Sequence, residues 1–364
     1  MKIKQIPEDF IVEELIEIPL EKSGNQTYFW LTKKGWTTEK ALREIAKKCR
    51  VSYKRFKFAG TKDKIAITRQ AVSAFKVPAK VLQEVKLKDI SIEIIGYGNV
   101  PISLGKLKGN KFKVKIRDLK PAELTKLKKN LSVIKKRGFR NYFGEQRFGK
   151  GNTHLIGKAI LKGDLESAVK EAICYVGRTE SKESKKFRLL AKKKWGNWQL
   201  LLEKIPEHLH LEKDLLLWLI KHPTDFAGAL RVLPKHIRKL YIHAYQSWLW
   251  NSAVRIIKKL TKKTLAVPGF NTKLGKDVFS RTIKKLLDKD KLTLEDFKCA
   301  RMPELAVEGE VRNVTVKPKS LKIISIKDDN LNKGKKSVLL HFILPKSSYA
   351  TVLLDALFDE KLLA

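Results

Sequence analysis

Acidic residues, cysteines and long apolar runs are all scarce in this chain, and each shortage removes a class of function. Thirty-eight Asp and Glu face seventy-eight Lys and Arg, a formal net charge of +40. So large an excess repels itself unless it meets a polyanion, and nucleic acid is the commonest one. An acidic-substrate or metabolite enzyme fits this balance poorly. The three cysteines, Cys49, Cys174 and Cys299, lie far apart with no CxxC pair, which excludes a disulfide framework or a zinc ribbon. The seven histidines are scattered, with no HExxH and no paired metal spacing, so no metal is expected. The first residues, MKIKQIPEDF, carry charge where a secretion signal needs an apolar stretch. The longest apolar runs, Leu215–Ile220 and Val338–Leu344, are far too short to span a bilayer. A soluble, cytoplasmic, metal-free protein without a membrane partner is the expectation.

What is present is enough for a folded protein of about two domains at 364 residues. Hydrophobic residues make up 43% and aromatic residues 9%, which argues against disorder. The first 150 residues read as mixed α and β. Strands are expected at Phe10–Ile18 and Tyr28–Thr32, and a helix capped by Thr37 or Thr38 runs to about Cys49. A strand, a Gly-Thr-Lys-Asp turn and a second strand fill Phe56–Phe75, and Pro78 opens a short helix. Residues 111–117, KFKVKIR, alternate: Phe112, Val114 and Ile116 on one face, Lys111, Lys113, Lys115 and Arg117 on the other. A helix over Pro121–Arg137 stops at Gly138. From about 152 to 300 the pattern is mostly helical, including one long helix over Pro234–Leu260. Strands return at Val311–Val316, Leu321–Ile326 and Val338–Leu344, with a short helix from about Ser348. Strands at both ends with helices between imply one core interrupted by an inserted domain.

Two segments invite a chemical reading. Gly144 to Lys150 matches the GxxxxGK half of a phosphate loop. Gly151 stands where Ser or Thr must hold magnesium, and no apolar strand runs into it, so a nucleotide-cofactor loop is set aside. The segment FKFAGTKDKIAITRQ, residues 56–70, puts Asp63 in a turn between strands, flanked by Lys62 and Lys64. Neighbouring cations favour an ionised carboxylate, which suits a nucleophile or base; a solvated turn aspartate would have the same local pattern.

This second segment resembles the signature of the TruD family of tRNA pseudouridine synthases, A-G-x-K-D-x-x-A-x-T-x-Q. Ala59, Gly60, Lys62, Asp63, Ala66, Thr68 and Gln70 all fit. Another family motif, N-Y-F-G-x-Q-R-F-G, is matched at Asn141–Gly149. Further similarity lies at Pro7-Glu8-Asp9-Phe10, at Lys108-Gly109-Asn110-x-Phe112, at Ala244-Tyr245-Gln246-Ser247-x-Leu249, and at Leu344-Pro345-x-x-Ser348-Tyr349-Ala350-Thr351. The matches fall in family order from residue 7 to residue 351. Asp355-Ala356 departs from an Arg-Glu pair that some relatives carry, so the resemblance assigns no role there.

The resemblance implies an α+β fold: a mixed-sheet catalytic domain, residues 1–151 plus 306–364, with a largely helical TRUD domain inserted at 152–305 and RNA held in the cleft between them. It implies isomerisation of uridine to pseudouridine in tRNA, usually at position 13, with other RNAs as further substrates of some relatives. The base would be flipped out of its stack to be reached. Asp63 matches the catalytic aspartate, attacking the sugar or taking a proton from C2′. Phe10, Asn110 and Tyr349 match positions that contact the target nucleotide, and Phe112 an aromatic against the uracil, although its alignment with Val114 and Ile116 also fits core packing. Lys4 falls where a basic partner for the aspartate is expected; Lys62 and Arg147 are supporting candidates. No cofactor is needed, because no hydride, phosphate or electron is transferred. The five tryptophans Trp195, Trp198, Trp218, Trp248 and Trp250 read as core of the inserted domain, and the lysine run 181–194 and the basic face of 111–117 as phosphate-contacting surface. The alternative is an RNA-binding protein of the same fold without activity.

Overall fold

The computed structural model describes residues 1–257 and 262–364, and the chain divides into two units. The first comprises Met1–Arg140 and Thr315–Ala364, the second Asn141–Val314. The divide thus falls eleven residues before the expected 151/152 break and nine residues after the expected 305/306 break.

In the first unit, period-two alternation produces one eight-stranded mixed sheet. Its strands are β1 (Phe10–Ile16), β2 (Gln26–Lys34), β3 (Phe56–Phe58), β4 (Ile67–Phe75), β5 (Ile90–Gly98), β6 (Leu107–Leu119), and two from the C-terminal segment, β11 (Lys319–Asp328) and β12 (Lys336–Pro345). The order is β11-β12-β6-β1-β4-β2-β5, with β3 paired to β4. Among the described residues only β1 and β4 run parallel, Ile11 opposite Ile67. All the other pairings are antiparallel. A short separate pair joins β7 (Phe139–Arg140) to β10 (Thr315–Val316). Helices α1 (Thr38–Lys48), α2 (Ala79–Gln83), α3 (Pro121–Arg137) and α12 (Ala350–Ala356) complete the unit.

Local chemistry sets the helix ends. The Thr37 hydroxyl accepts from the Lys40 N–H, with Glu39 in the first turn and Lys47 and Lys48 in the last, which suits the helix dipole of α1. Its Ala41, Leu42 and Ile45 are buried against Phe29, Leu31 and Val72 of the sheet. Pro78 precedes α2 as its cap and is not its first residue. Gly138 ends α3 at φ +88°, where a Cβ would lie 2.6 Å from the Val316 carbonyl oxygen.

The basic face expected over 111–117 breaks at its last member. Arg117 is 1% exposed, its guanidinium bonded to both oxygens of Asp9 (2.8 and 2.9 Å) and to Asp329 (2.7 Å). Desolvation acts against an ionised Asp329, but N–H donors from Asp118 and Leu331, the Asn332 amide and Arg117 outweigh it and hold the carboxyl well below its usual range. A charge that alternation assigns to solvent therefore ties the start of β1 to the end of β6.

The second unit is helical: α4 (Thr153–Leu161), α5 (Leu165–Cys174), α6 (Lys182–Lys193), α7 (Trp198–Lys204), α8 (His210–Lys221), α9 (Phe226–Val232), α10 (Lys235–Ile256) and α11 (Val278–Lys289). A two-stranded ribbon joins β8 (Thr264–Val267) to β9 (Glu310–Asn313). The expected strand Val311–Val316 is thus split between β9 and β10, which belong to different sheets. Of the expected helix Pro234–Leu260, α10 covers the part to Ile256, and residues 258–261 lie outside the described residues. Trp198 and Trp250 are buried and the other three expected tryptophans partly so. Arg188, within the lysine run, is buried against Glu180 and Glu212. Among the described residues no helix is long and apolar enough to cross a membrane.

Candidate active site

The loop between β3 and β4, residues 59–66, is tethered almost residue by residue. Ala59 and Ala66 are fully buried, which leaves no room for a larger side chain at either end. The Gln70 amide donates to the Gly60 carbonyl at 3.2 Å, and its oxygen accepts from the Thr38 hydroxyl at 2.8 Å. That hydroxyl in turn accepts from the Lys62 N–H at 3.0 Å. The Lys62 ammonium pairs with Glu14, a carboxylate with no exposed surface, whose other oxygen accepts from the Ala71 N–H at 3.1 Å. Buried Lys33 donates to the carbonyls of Trp36 (2.7 Å) and Asp63 (3.0 Å). Of the motif residues, Ala59 and Ala66 therefore fill the core, and Gly60, Lys62, Asp63 and Gln70 close hydrogen bonds around the loop. The buried Thr68 hydroxyl, by contrast, has no partner among the described residues.

Asp63 stands on this loop with its carboxylate 37% exposed, and its Oδ2 accepts from the Lys4 ammonium at 2.6 Å. Lys4 reaches it from a residue at φ +56°, just before β1, and the same ammonium sits 4.2 Å from the centroid of the Phe10 ring. Lys4 thus brings a cation to the Asp63 carboxylate. Its neighbour Lys62 is spent on Glu14, and Lys64 is exposed.

Phe10 and Phe112 meet edge to face at 6.0 Å across the β1–β6 pair. Phe112 also stacks on Phe342 of β12 at 5.1 Å. Two residues along β6, Asn110 lies opposite Glu14 on one side and Leu344 on the other. Gly109 beside it permits this pairing, since a Cβ there would lie 2.3 Å from the Leu344 carbonyl oxygen. Among the described residues the Asn110 Oδ1 is buried without a hydrogen-bond partner, and so is the Ser348 hydroxyl just beyond β12. Tyr349 follows as the residue preceding α12. Lys4, Phe10, Lys62, Asp63, Asn110, Phe112 and Tyr349 thus share the first unit, and direct contacts link Asp63 to Lys4 to Phe10 to Phe112. Arg147 falls in the second unit, with its guanidinium 5.4 Å from the Phe143 ring centroid.

Sequence reasoning overlooked Lys33 and Glu14. Both carried a signal: Lys33 is in step with Phe29 and Leu31 on β2, and Glu14 with Phe10 and Val12 on β1. A charge in register with core residues is buried and must be partnered. Burial pushes the Lys33 ammonium down to about 8, with the Asp63 charge opposing that shift and the Lys62 charge adding to it.

Over residues 1–263 and 254–357 the chain matches the family model described as tRNA pseudouridine synthase D (TruD). Curated relatives bear the name "Probable tRNA pseudouridine synthase D". That of Methanosarcina acetivorans is 32% identical, covering 97% of this chain and 91% of the relative. That of Methanopyrus kandleri is 33% identical, covering 93% and 86%. A solved TruD structure from Methanosarcina mazei superposes with a TM-score of 0.75 at 30% identity, covering 98% of this chain and 93% of that one. The chain belongs to the TruD family of tRNA pseudouridine synthases.

Proposed function

We propose that this protein isomerises uridine to pseudouridine in tRNA, with Asp63 as the catalytic carboxylate, and that uridine 13 is its target. The observation that carries the reading is the Asp63–Lys4–Phe10 juxtaposition: a partly exposed carboxylate, fixed by its loop, in contact with a cation that also rests on an aromatic ring. In the reaction the C1′–N1 bond breaks, the base turns, and C1′ joins C5; the C5 proton leaves to solvent and N1 takes one up. Asp63 attacks C1′ or removes the C2′ proton, and Lys4 orients its carboxylate for either step. Phe10 and Phe112 are 3% and 7% exposed and pack on each other. They thus form the floor of the pocket that receives the flipped base, which joins the core-packing and substrate readings of Phe112. The unpartnered Asn110 Oδ1 is an acceptor for a uracil N–H or a ribose hydroxyl, and Tyr349 faces the same nucleotide. Lys62 supports the loop through Glu14, and Arg147 contacts RNA from the inserted helical domain. A tRNA substrate places the work in the cytoplasm.

Carbodiimide modification and primer extension on a tRNA transcript test the target. A new stop reporting pseudouridine at position 13 is expected with the parent protein and none with Asp63→Ala. A stop at another uridine would overturn the position; a stop with both proteins would overturn the role of Asp63.

A further inference from the structure

The second unit contains a cavity of about 530 Å³ that none of the roles above uses. Its volume lies within the roughly 300–1,000 Å³ of small-ligand sites. One wall is aromatic. Phe148 meets His154 edge to face at 5.6 Å, and His154 stacks on Trp248 at 5.7 Å with 13° between planes. These rings pack on one another, so a flat guest would meet a wall already held by its own contacts. Burial pushes His154 down to about 4, with the nearby Lys158 charge adding to the shift, so the ring is neutral at pH 7. Its Nδ1 is buried without a hydrogen-bond partner among the described residues.

The rim is cationic and unspent. Arg178 and Arg255 both line the cavity and both are exposed. Among the described residues neither guanidinium has an ion-pair or hydrogen-bond partner, whereas Arg188, Arg238 and Arg312 of the same unit are all bonded to protein oxygens. Glu145 shares the rim and disfavours a bare anion, yet it can accept from a base N–H. Flat rings, free guanidiniums and one carboxylate together suit a nucleotide better than inorganic phosphate. Part of the segment set aside as a cofactor loop, Gly144 to Lys150, borders this cavity through Glu145 and residues 148–150.

We propose that the cavity binds an unpaired nucleotide of the RNA substrate other than the one isomerised, its base against the Phe148–His154–Trp248 wall and its phosphate between Arg178 and Arg255. The proposal rests on the reading of the protein as a tRNA-modifying enzyme.

The test combines zero-length ultraviolet cross-linking of the parent protein to an unmodified tRNA transcript with steady-state kinetics. A cross-link on a peptide containing Phe148 or Trp248, to a nucleotide other than the modified uridine, is expected. R178A/R255A should raise KM for tRNA about tenfold with kcat within twofold, and make log KM shallower against log salt by roughly one. K284A/K285A removes the same charge from exposed positions on α11 and should change KM less than threefold. Equal effects of the two double variants would reduce the arginines to general charge and overturn the site. So would a parent protein that modifies tRNA with no cross-link in the cavity. Protection of Trp248 by free uridine monophosphate without any tRNA cross-link would assign the cavity to a free nucleotide instead. If the parent binds tRNA but modifies none, the enzymatic reading fails, while the cross-link still reports on the cavity. The cross-linking arm needs no variant, so misfolding of a double mutant cannot mask the answer.

Discussion

Lys4 touches the Asp63 carboxylate, but the backbone that carries it is held by Lys33, a buried ammonium aimed at carbonyl oxygens. Lys33→Met would leave the Trp36 and Asp63 carbonyls without that donor and free the loop to shift. A displacement of even 1 Å at a reacting group costs on the order of 100-fold, so kcat should fall at least 10-fold with tRNA affinity nearly unchanged. Stability supplies a second readout. Below about pH 8 Lys33 is protonated in both folded and unfolded chains; between about 8 and 10.5 only the unfolded chain holds that proton. The contribution of Lys33 to unfolding free energy therefore rises with pH across that window and is lost as pH falls through it. Denaturant titrations at pH 7.5 and 9.5 should show the parent gaining on Lys33→Met at the higher pH. Parallel behaviour would mean that Lys33 keeps an ordinary affinity for its proton.

Among the elements, caps and alternation determine where regular structure begins and ends, and long-range contacts determine where charges go. Gly138→Ala tests the first point. At φ +88° and facing the Val316 carbonyl, the added methyl should cost more than about 1 kcal/mol in chemical denaturation. A neutral outcome would show that the α3–β7 connection relaxes freely. The α1 and α3 boundaries were legible because Thr37, Pro121 and Gly138 act within their own turn. β5 was not singled out, although Ile90, Ile92 and Ile94 alternate. Its place at the sheet edge follows from pairing with β2, which no local signal states. Arg117 was misplaced for the same reason: its partners Asp9 and Asp329 are far away in sequence. Within the site, the motif spacing identified Asp63, Lys62 and Gln70 as a set. That Lys62 answers to Glu14 and Lys4 to Asp63 depends on β1 lying beside β4, a parallel pairing invisible in a pattern.

For the whole molecule, charge dominates. A net +40 persists although Arg117 and Arg188 are spent on internal pairs, so most of the excess is available to phosphates. Each neutralised phosphate releases condensed counterions, and contact with six to ten of them weakens binding by roughly 10³- to 10⁵-fold between 50 and 200 mM salt. Filter binding of tRNA over that range should fall at least about a thousandfold; a shallow slope would place most of the lysines outside the RNA interface. Affinity alone does not separate an enzyme from a binder of the same fold. Chemistry at C5 does, because that hydrogen leaves only if the base is rejoined through C5. The decisive measurement is tritium release from tRNA labelled at C5 of uridine, with parent and Asp63→Asn proteins matched for tRNA binding. Release by the parent alone is the predicted result; equal release by the variant, or none by a parent that binds the tRNA, would contradict a catalytic Asp63.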